Sequence, residues 1–300
     1  MPIAVLGSLP LPPGAGFDHA CVHAGSGRVF VAHTAADAIE VLDGPQGRRI
    51  ATIGGCSEGS GALHLEGTHL VAVASRGHGK VLLLDAIESA RVGQFSVGAR
   101  PNGLAYDPAG QNLLVADVGT DGVSLHEIPS GRRRAARSLP GRPRWCSFDA
   151  ERNRFLVAIR EPAEILALDS RDLEVSATID IPAKGPHGLD LSLTLGLGFT
   201  ACDDGQVVAF TLDGGERRFT CQVGGSPDVI FHNDRRSELY VATAEGDLAV
   251  IDTAHGVLAQ TVPTGVGAHT FAFDSERQRL YVFVPEPPRA LLLEARSTRG

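Results

Sequence analysis

Val97-Gly-Ala-Arg-Pro-Asn-Gly-Leu-Ala-Tyr-Asp107 leads, after a short polar turn, into Leu113-Leu-Val-Ala-Asp117. Two short apolar runs separated by turn residues read as an antiparallel hairpin. The same pair recurs as Arg144-Trp-Cys-Ser-Phe-Asp149 with Phe155-Leu-Val-Ala-Ile159. It returns as Asp228-Val-Ile-Phe-His-Asn233 with Leu239-Tyr-Val-Ala-Thr243, and as His269-Thr-Phe-Ala-Phe-Asp274 with Leu280-Tyr-Val-Phe-Val284. His187-Gly-Leu-Asp-Leu-Ser192 and His19-Ala-Cys-Val-His23 open two more copies, and a degenerate copy opens near Ser60. The openings fall at 19, about 60, 102, 144, 187, 228 and 269, a period of about 42 residues of the kind that marks a repeat architecture.

Each copy continues with a third apolar run, such as Ala38-Ile-Glu-Val-Leu-Asp43 or Leu248-Ala-Val-Ile-Asp252. A fourth and more polar run follows, such as Ser176-Ala-Thr-Ile-Asp-Ile181. Four short strands per repeat form the blade of a propeller. The last copy ends after its third run, Ala290-Leu-Leu-Leu-Glu294, and the first is preceded by a spare run, Ile3-Ala-Val-Leu-Gly-Ser-Leu9. The expectation is an all-β, seven-bladed β-propeller with four-stranded blades. The N-terminal strand closes the last blade and removes a bare sheet edge. Residues 1–300 are read as a single domain with no linker.

Val97-Gly-Ala-Arg-Pro-Asn-Gly-Leu-Ala-Tyr-Asp107, Gly225-Ser-Pro-Asp228 and Leu239-Tyr-Val-Ala242 resemble the YVTN-type repeats of YncE-like seven-bladed propellers, over nearly the whole chain. The resemblance implies the fold. Such propellers include binding proteins and scaffolds, and similar architectures include metal-dependent lactonases and virginiamycin B lyase, so the resemblance does not choose a function.

A formal charge of −8 argues against a nucleic-acid partner, which needs a basic surface. The apolar runs are strand-sized, so no membrane span is expected. The N-terminal residues show no basic segment followed by a long apolar one, and the five cysteines are odd in number with no CxxC spacing; a reducing, cytoplasmic location is the expectation. A closed ring needs no partner for stability, so a monomer or weak homo-oligomer is expected.

In a propeller the first strand of each blade lines the central channel, so the opening residues ring one mouth. Around the ring these are His19, Ser60, Asn102, Arg144, His187, Asp228 and His269. Blades five, six, seven and one are consecutive and supply His187, Asp228, His269 and His19. Three imidazoles and a carboxylate are the ligand types of a divalent transition metal such as Zn, Fe, Mn or Cu, and not of calcium, which wants oxygen. The register leaves open whether Asp18 or His19 faces the channel. Each histidine also has a plain alternative, a hydrogen bond to a neighbouring carbonyl or water. Arg144 and Asn102 on the other arc suit an anionic or polar substrate. The loops after the second strands crown the same face and bring His33, Arg76, His78, Asp117, Arg160, Cys202, Asp203 and Glu286. His33 is the nearest spare ligand or general base, with an ordinary solvated loop histidine as the alternative.

The functional expectation is therefore a metal-dependent enzyme, a hydrolase or lyase acting on a small polar or anionic substrate. His19, His187, His269 and Asp228 would hold the metal, Asn102 and Arg144 the substrate, and His33, Asp228 and Arg144 would serve catalysis. The alternatives are a non-catalytic binding module for a protein or metabolite, or a sensory domain that binds without turnover.

Overall fold

The computed structural model describes residues 3–14 and 16–295. These form seven four-stranded antiparallel sheets. Six are built from four strands in chain order, as in Pro101–Asp107, Asn112–Asp117, Gly122–Glu127 and Arg133–Ser138. The seventh contains Thr270–Asp274, Arg279–Pro285 and Pro288–Ala295, with the N-terminal strand Ile3–Pro10 on its outer edge. Ile3 pairs with Ala295 and Pro10 with Arg289, so the two ends of the chain meet in one blade as the repeat count requires. The only helical turns among the described residues are two of the 3-10 type, Thr34–Ala36 and Val118–Thr120.

Burial explains the difference between the runs. Leu113 to Ala116, in a second strand, are fully buried because neighbouring blades cover both faces of the sheet. The fourth strands alternate, as Arg133–Ser138 does, because one face meets the adjacent blade and the other meets solvent. The core consequently lies between blades. One cluster joins Leu114, Ala116 and Leu125 of one blade to Phe155, Val157 and Leu168 of the next. Another, made of Phe17, Val29 and Val31 with Tyr281 and Phe283, seals the ring where first and last blades touch. The aspartates that close the third strands shape the following turn. Asp85 Oδ1 accepts the amide N–H groups of Ile87 at 2.7 Å and Glu88 at 2.8 Å.

The innermost strands carry the feature that matters for function. In five blades the pairing between first and second strand slips by one residue near the channel mouth: between Gly59 and Ala62, Pro101 and Leu104, Pro143 and Cys146, Pro186 and Leu189, and Pro227 and Ile230. Each slip is a β-bulge, and such bulges re-aim side chains beside functional sites. The bulged residues are Ser60-Gly61, Asn102-Gly103, Arg144-Trp145, His187-Gly188 and Asp228-Val229. Where the second is glycine, the next innermost strand presses against it. A Cβ on Gly61 would stand 2.0 Å from the carbonyl oxygen of Asn102, one on Gly103 2.2 Å from that of Arg144, and one on Gly188 2.0 Å from that of Asp228.

Candidate functional site

Bulges, rather than loops, deliver most of the ring. Asp228 lies between two imidazoles, with Oδ2 2.9 Å from His269 Nδ1 and Oδ1 3.1 Å from His187 Nε2. Arg144 donates to that same His187 nitrogen, from Nε at 3.1 Å and from Nη2 in a shorter contact. His187 Nδ1 faces Asp203 Oδ1 at 3.4 Å, and Asp203 is held by Arg160 through a 2.7 Å bond. Arg76 reaches across the opening to Asp18 Oδ2 at 3.0 Å and Asn102 Oδ1 at 2.5 Å. Residues from every blade thereby contribute to one polar rim.

The electrostatics follow from this packing. Burial alone would raise the Asp228 carboxyl, but the imidazoles of His187, His269 and His19 outweigh it and hold it well below the ordinary carboxylate range. Burial would lower His269, yet the hydrogen bond and charge of Asp228 prevail and raise it. Burial dominates at His19 and pushes it down to about 4, so this imidazole is neutral at pH 7. Arg144 is lowered, chiefly by burial, but a guanidinium keeps its charge across the physiological range.

A cavity of about 190 Å³ opens at the rim, lined by Asp18, Arg76, Arg100, Asn102, Arg142, Arg144, Asp228 and His269, with Val118. Four arginines face two aspartates there, so this mouth is locally basic on a chain of net charge −8. His269 is held through Nδ1, and its Nε2 has no partner among the described residues.

The register question is settled by giving the two residues different places. Asp18 lines the opening, while His19 lies beneath it, only 4% exposed and stacked on Trp145. His187, Asp228, His269, Arg144 and Asn102 gather at the rim as the repeat alignment places them, and the crown residues Arg76, Arg160 and Asp203 support them.

One expectation needs correction. His33 is neither a spare ligand nor a base. It is the last residue of Arg28–His33 and fully buried, with Nδ1 3.1 Å from Glu40 Oε1 and Nε2 2.9 Å from the Gly14 carbonyl. Both ring nitrogens are spent, because its strand still runs in the sheet at that point and turns the side chain into the blade. The four expected metal ligands, as they stand in this structure, are not gathered into a coordination sphere. Among the described residues no group of three or more His, Cys, Asp or Glu side chains is arranged to hold a metal ion. The Arg144 cation occupies the His187 nitrogen that would face a metal, Asp228 takes the Nδ1 of His269, and His19 lies flat on an indole. Trp145, Arg100 and Arg142 were not singled out from the sequence, although Trp145 stands beside Arg144 in its opening motif.

No family model matches the chain, and no curated protein matches it in sequence. In three dimensions it is similar to a chain of a structure described as "Crystal Structure of Mitotic Checkpoint Complex", with a TM-score of 0.83 and 11% identity over 98% of this chain and 92% of that one. It is also similar to a chain of "Kuenenia stuttgartiensis Hydrazine Synthase", with a TM-score of 0.82 and 12% identity over 96% of this chain and 97% of that one. At such identities the likeness establishes the propeller fold and nothing about activity. No helix among the described residues is long and apolar enough to cross a membrane.

Proposed function

We propose that this YVTN-like propeller is an enzyme that binds a small anionic molecule at the arginine-lined channel mouth and acts on it by general acid–base chemistry. The observation that carries the reading is the Asp228–His269 pair, 2.9 Å apart, on the wall of a cavity rich in arginine. A carboxylate bonded to one imidazole nitrogen fixes the ring and raises its proton affinity, and the other nitrogen is left to exchange a proton with a bound molecule.

In this reading Arg144 and Arg142 hold a carboxylate or phosphate, and the Arg76–Asn102 bond supports the far wall. His269 Nε2 gives a proton to a leaving group, or takes one from water or from a carbon beside the anion. Hydrolysis and elimination are the two reaction types this supports. His187, fixed between Arg144 and Asp203, positions Arg144.

A thermal-shift screen with small carboxylates and phosphates tests the binding step, and assays of the hits test turnover. A stabilising ligand whose effect is lost in Arg144→Gln, and turnover lost in His269→Gln with binding retained, are the expected results. Binding without turnover would make the protein a binding module, and no response to any small anion would remove the proposal. A metal-dependent mechanism requires Arg144 to swing away from His187; a stoichiometric transition metal in the protein as isolated, lost in His187→Ala and His269→Ala, would put that mechanism in place of the metal-free one.

A further inference from the structure

The channel holds a second cavity, of about 440 Å³, at the end away from the arginine rim. It is walled by the later residues of the innermost strands and reaches the turn residues Glu66, Pro108 and Ala150, which are exposed at the opposite mouth. Its volume is that of an ordinary small-molecule site. Its chemistry is the reverse of the upper mouth. Trp145, Tyr106, Phe148, Phe231 and Phe273 contribute aromatic surface, and no Lys or Arg is found among the described residues lining it.

Two carboxyls line it, Glu66 at the exposed mouth and Asp190 on the inner wall. Asp190 Oδ2 accepts the backbone N–H of His232 at 2.6 Å, the backbone N–H of Leu191 also bonds to the carboxyl, and no side chain of the described residues pairs with it. The aromatic walls are held from behind: Phe148 packs on Phe155 with centroids 5.0 Å apart, Phe231 on Phe271 at 5.3 Å, and Phe273 on Tyr240 at 5.2 Å. The shape is therefore pre-formed. A carboxyl held only by backbone N–H groups inside apolar walls has no counter-charge, and a ligand that brings the opposite charge offsets the cost of burying it. Aromatic faces attract the same kind of charge.

We propose that the lower half of the channel is a binding site for a small organic cation, an ammonium group carried on an apolar or aromatic body, with Asp190 as its counter-ion. The ammonium sits against Asp190 and the ring faces, and the apolar body fills the space beside Ala62 and Ala105. The site is independent of the function proposed for the upper mouth. The other titratable groups on its wall do not oppose a cation: Glu66 adds negative charge, the Cys21 and Cys146 thiols and the Tyr106 hydroxyl are pushed up by burial and stay neutral, and His64 turns Nε2 to the Thr68 carbonyl at 3.0 Å. Burial pushes Asp190 itself up to about 7, so it is charged at pH 8 and mostly protonated at pH 5.5.

Trp145 is the one tryptophan of the chain and lines the cavity, so its emission reports occupancy. The test is a titration of the intact protein at pH 8 with benzyltrimethylammonium and with the neutral 2-phenylethanol, followed by Trp145 fluorescence and by calorimetry. The cation is expected to bind saturably and at least tenfold more tightly than the alcohol. That preference is expected to vanish in Asp190→Asn and to weaken at pH 5.5. Equal affinity for cation and alcohol in the unmodified protein, absence of a saturable response to either, or a preference unchanged between pH 5.5 and pH 8 would each overturn the proposal, whether or not the variant folds.

Discussion

The imidazole of His19 lies on the indole of Trp145, with ring centroids 3.8 Å apart and planes at 25°. The pair stands between the two halves of the channel. Asp18 and Arg144, the residues preceding each partner, line the upper opening, and Ala20 and Trp145 line the lower cavity. A neutral ring on either side lets the stack form without burying charge, which is why burial holds His19 down to about 4.

Protonating His19 places a cation against the indole and quenches its emission. Trp145 fluorescence is therefore expected to fall on acidification with a midpoint about 4, and to lose that step in His19→Phe. The same shift has a sign for stability. A histidine depressed from 6.5 binds fewer protons in the folded state, so its contribution is complete above pH 6.5 and is lost as pH falls toward and through about 4. A midpoint near 6.5 would show that His19 is not buried beneath the rim.

His269 titrates in the opposite sense. Asp228 raises it above 6.5, so its stabilising contribution is present below that pH and is lost as pH rises through the folded value. The NMR titration of the His269 ring protons is expected above 6.5 in the intact protein. In Asp228→Asn it should fall, because the largest opposition to burial is removed and only the weaker pull of Asp18 remains. A His269 titration unaffected by Asp228→Asn would break the proposed acid–base pair.

Gly188 follows His187 in a bulge, and an added methyl would meet the carbonyl oxygen of Asp228 at 2.0 Å. Backbone cannot yield as a side-chain end does. Gly188→Ala is expected to destabilise the protein by about 1–3 kcal/mol, the usual cost of overpacking, and to shift Asp228 away from His269. Chemical denaturation measures the first effect, and loss of the raised His269 titration the second.

His33 answers to a structural role only. Its removal leaves Glu40 fully buried, with Thr52 Oγ1 at 2.6 Å and the Arg49 guanidinium at 3.8 Å as its remaining partners. His33→Ala is expected to cost on the order of 3 kcal/mol, as breaking a buried charge-assisted pair does. Binding at the channel mouth should persist wherever the variant is folded. A stable His33→Ala that has lost ligand binding would restore His33 to the site.

The repeat made the architecture legible because every blade faces the same packing problem and solves it with the same pattern. Asp107, Asp149 and Asp274 close equivalent first strands, and the spare run at Ile3 has one vacant edge to fill. The identities around the upper mouth follow from that period, since equal spacing places His187, Asp228 and His269 in successive seats. What each side chain then does was beyond the reach of the sequence. Period counting assigns a seat, but the partner of a buried polar group is set by distances between strands far apart along the chain. Only packing decided that Arg144 takes the His187 nitrogen, that His33 turns inward to Glu40, and that Asp18 takes the rim with His19 beneath it. The bulges at Arg144, His187 and Asp228 are likewise a tertiary result, because the glycine and carbonyl contacts that accommodate them come from the neighbouring blade. The lower cavity shows the same limit: Trp145, Phe148 and Asp190 read along the chain as ordinary strand residues, and only closure of the ring brings them around one space.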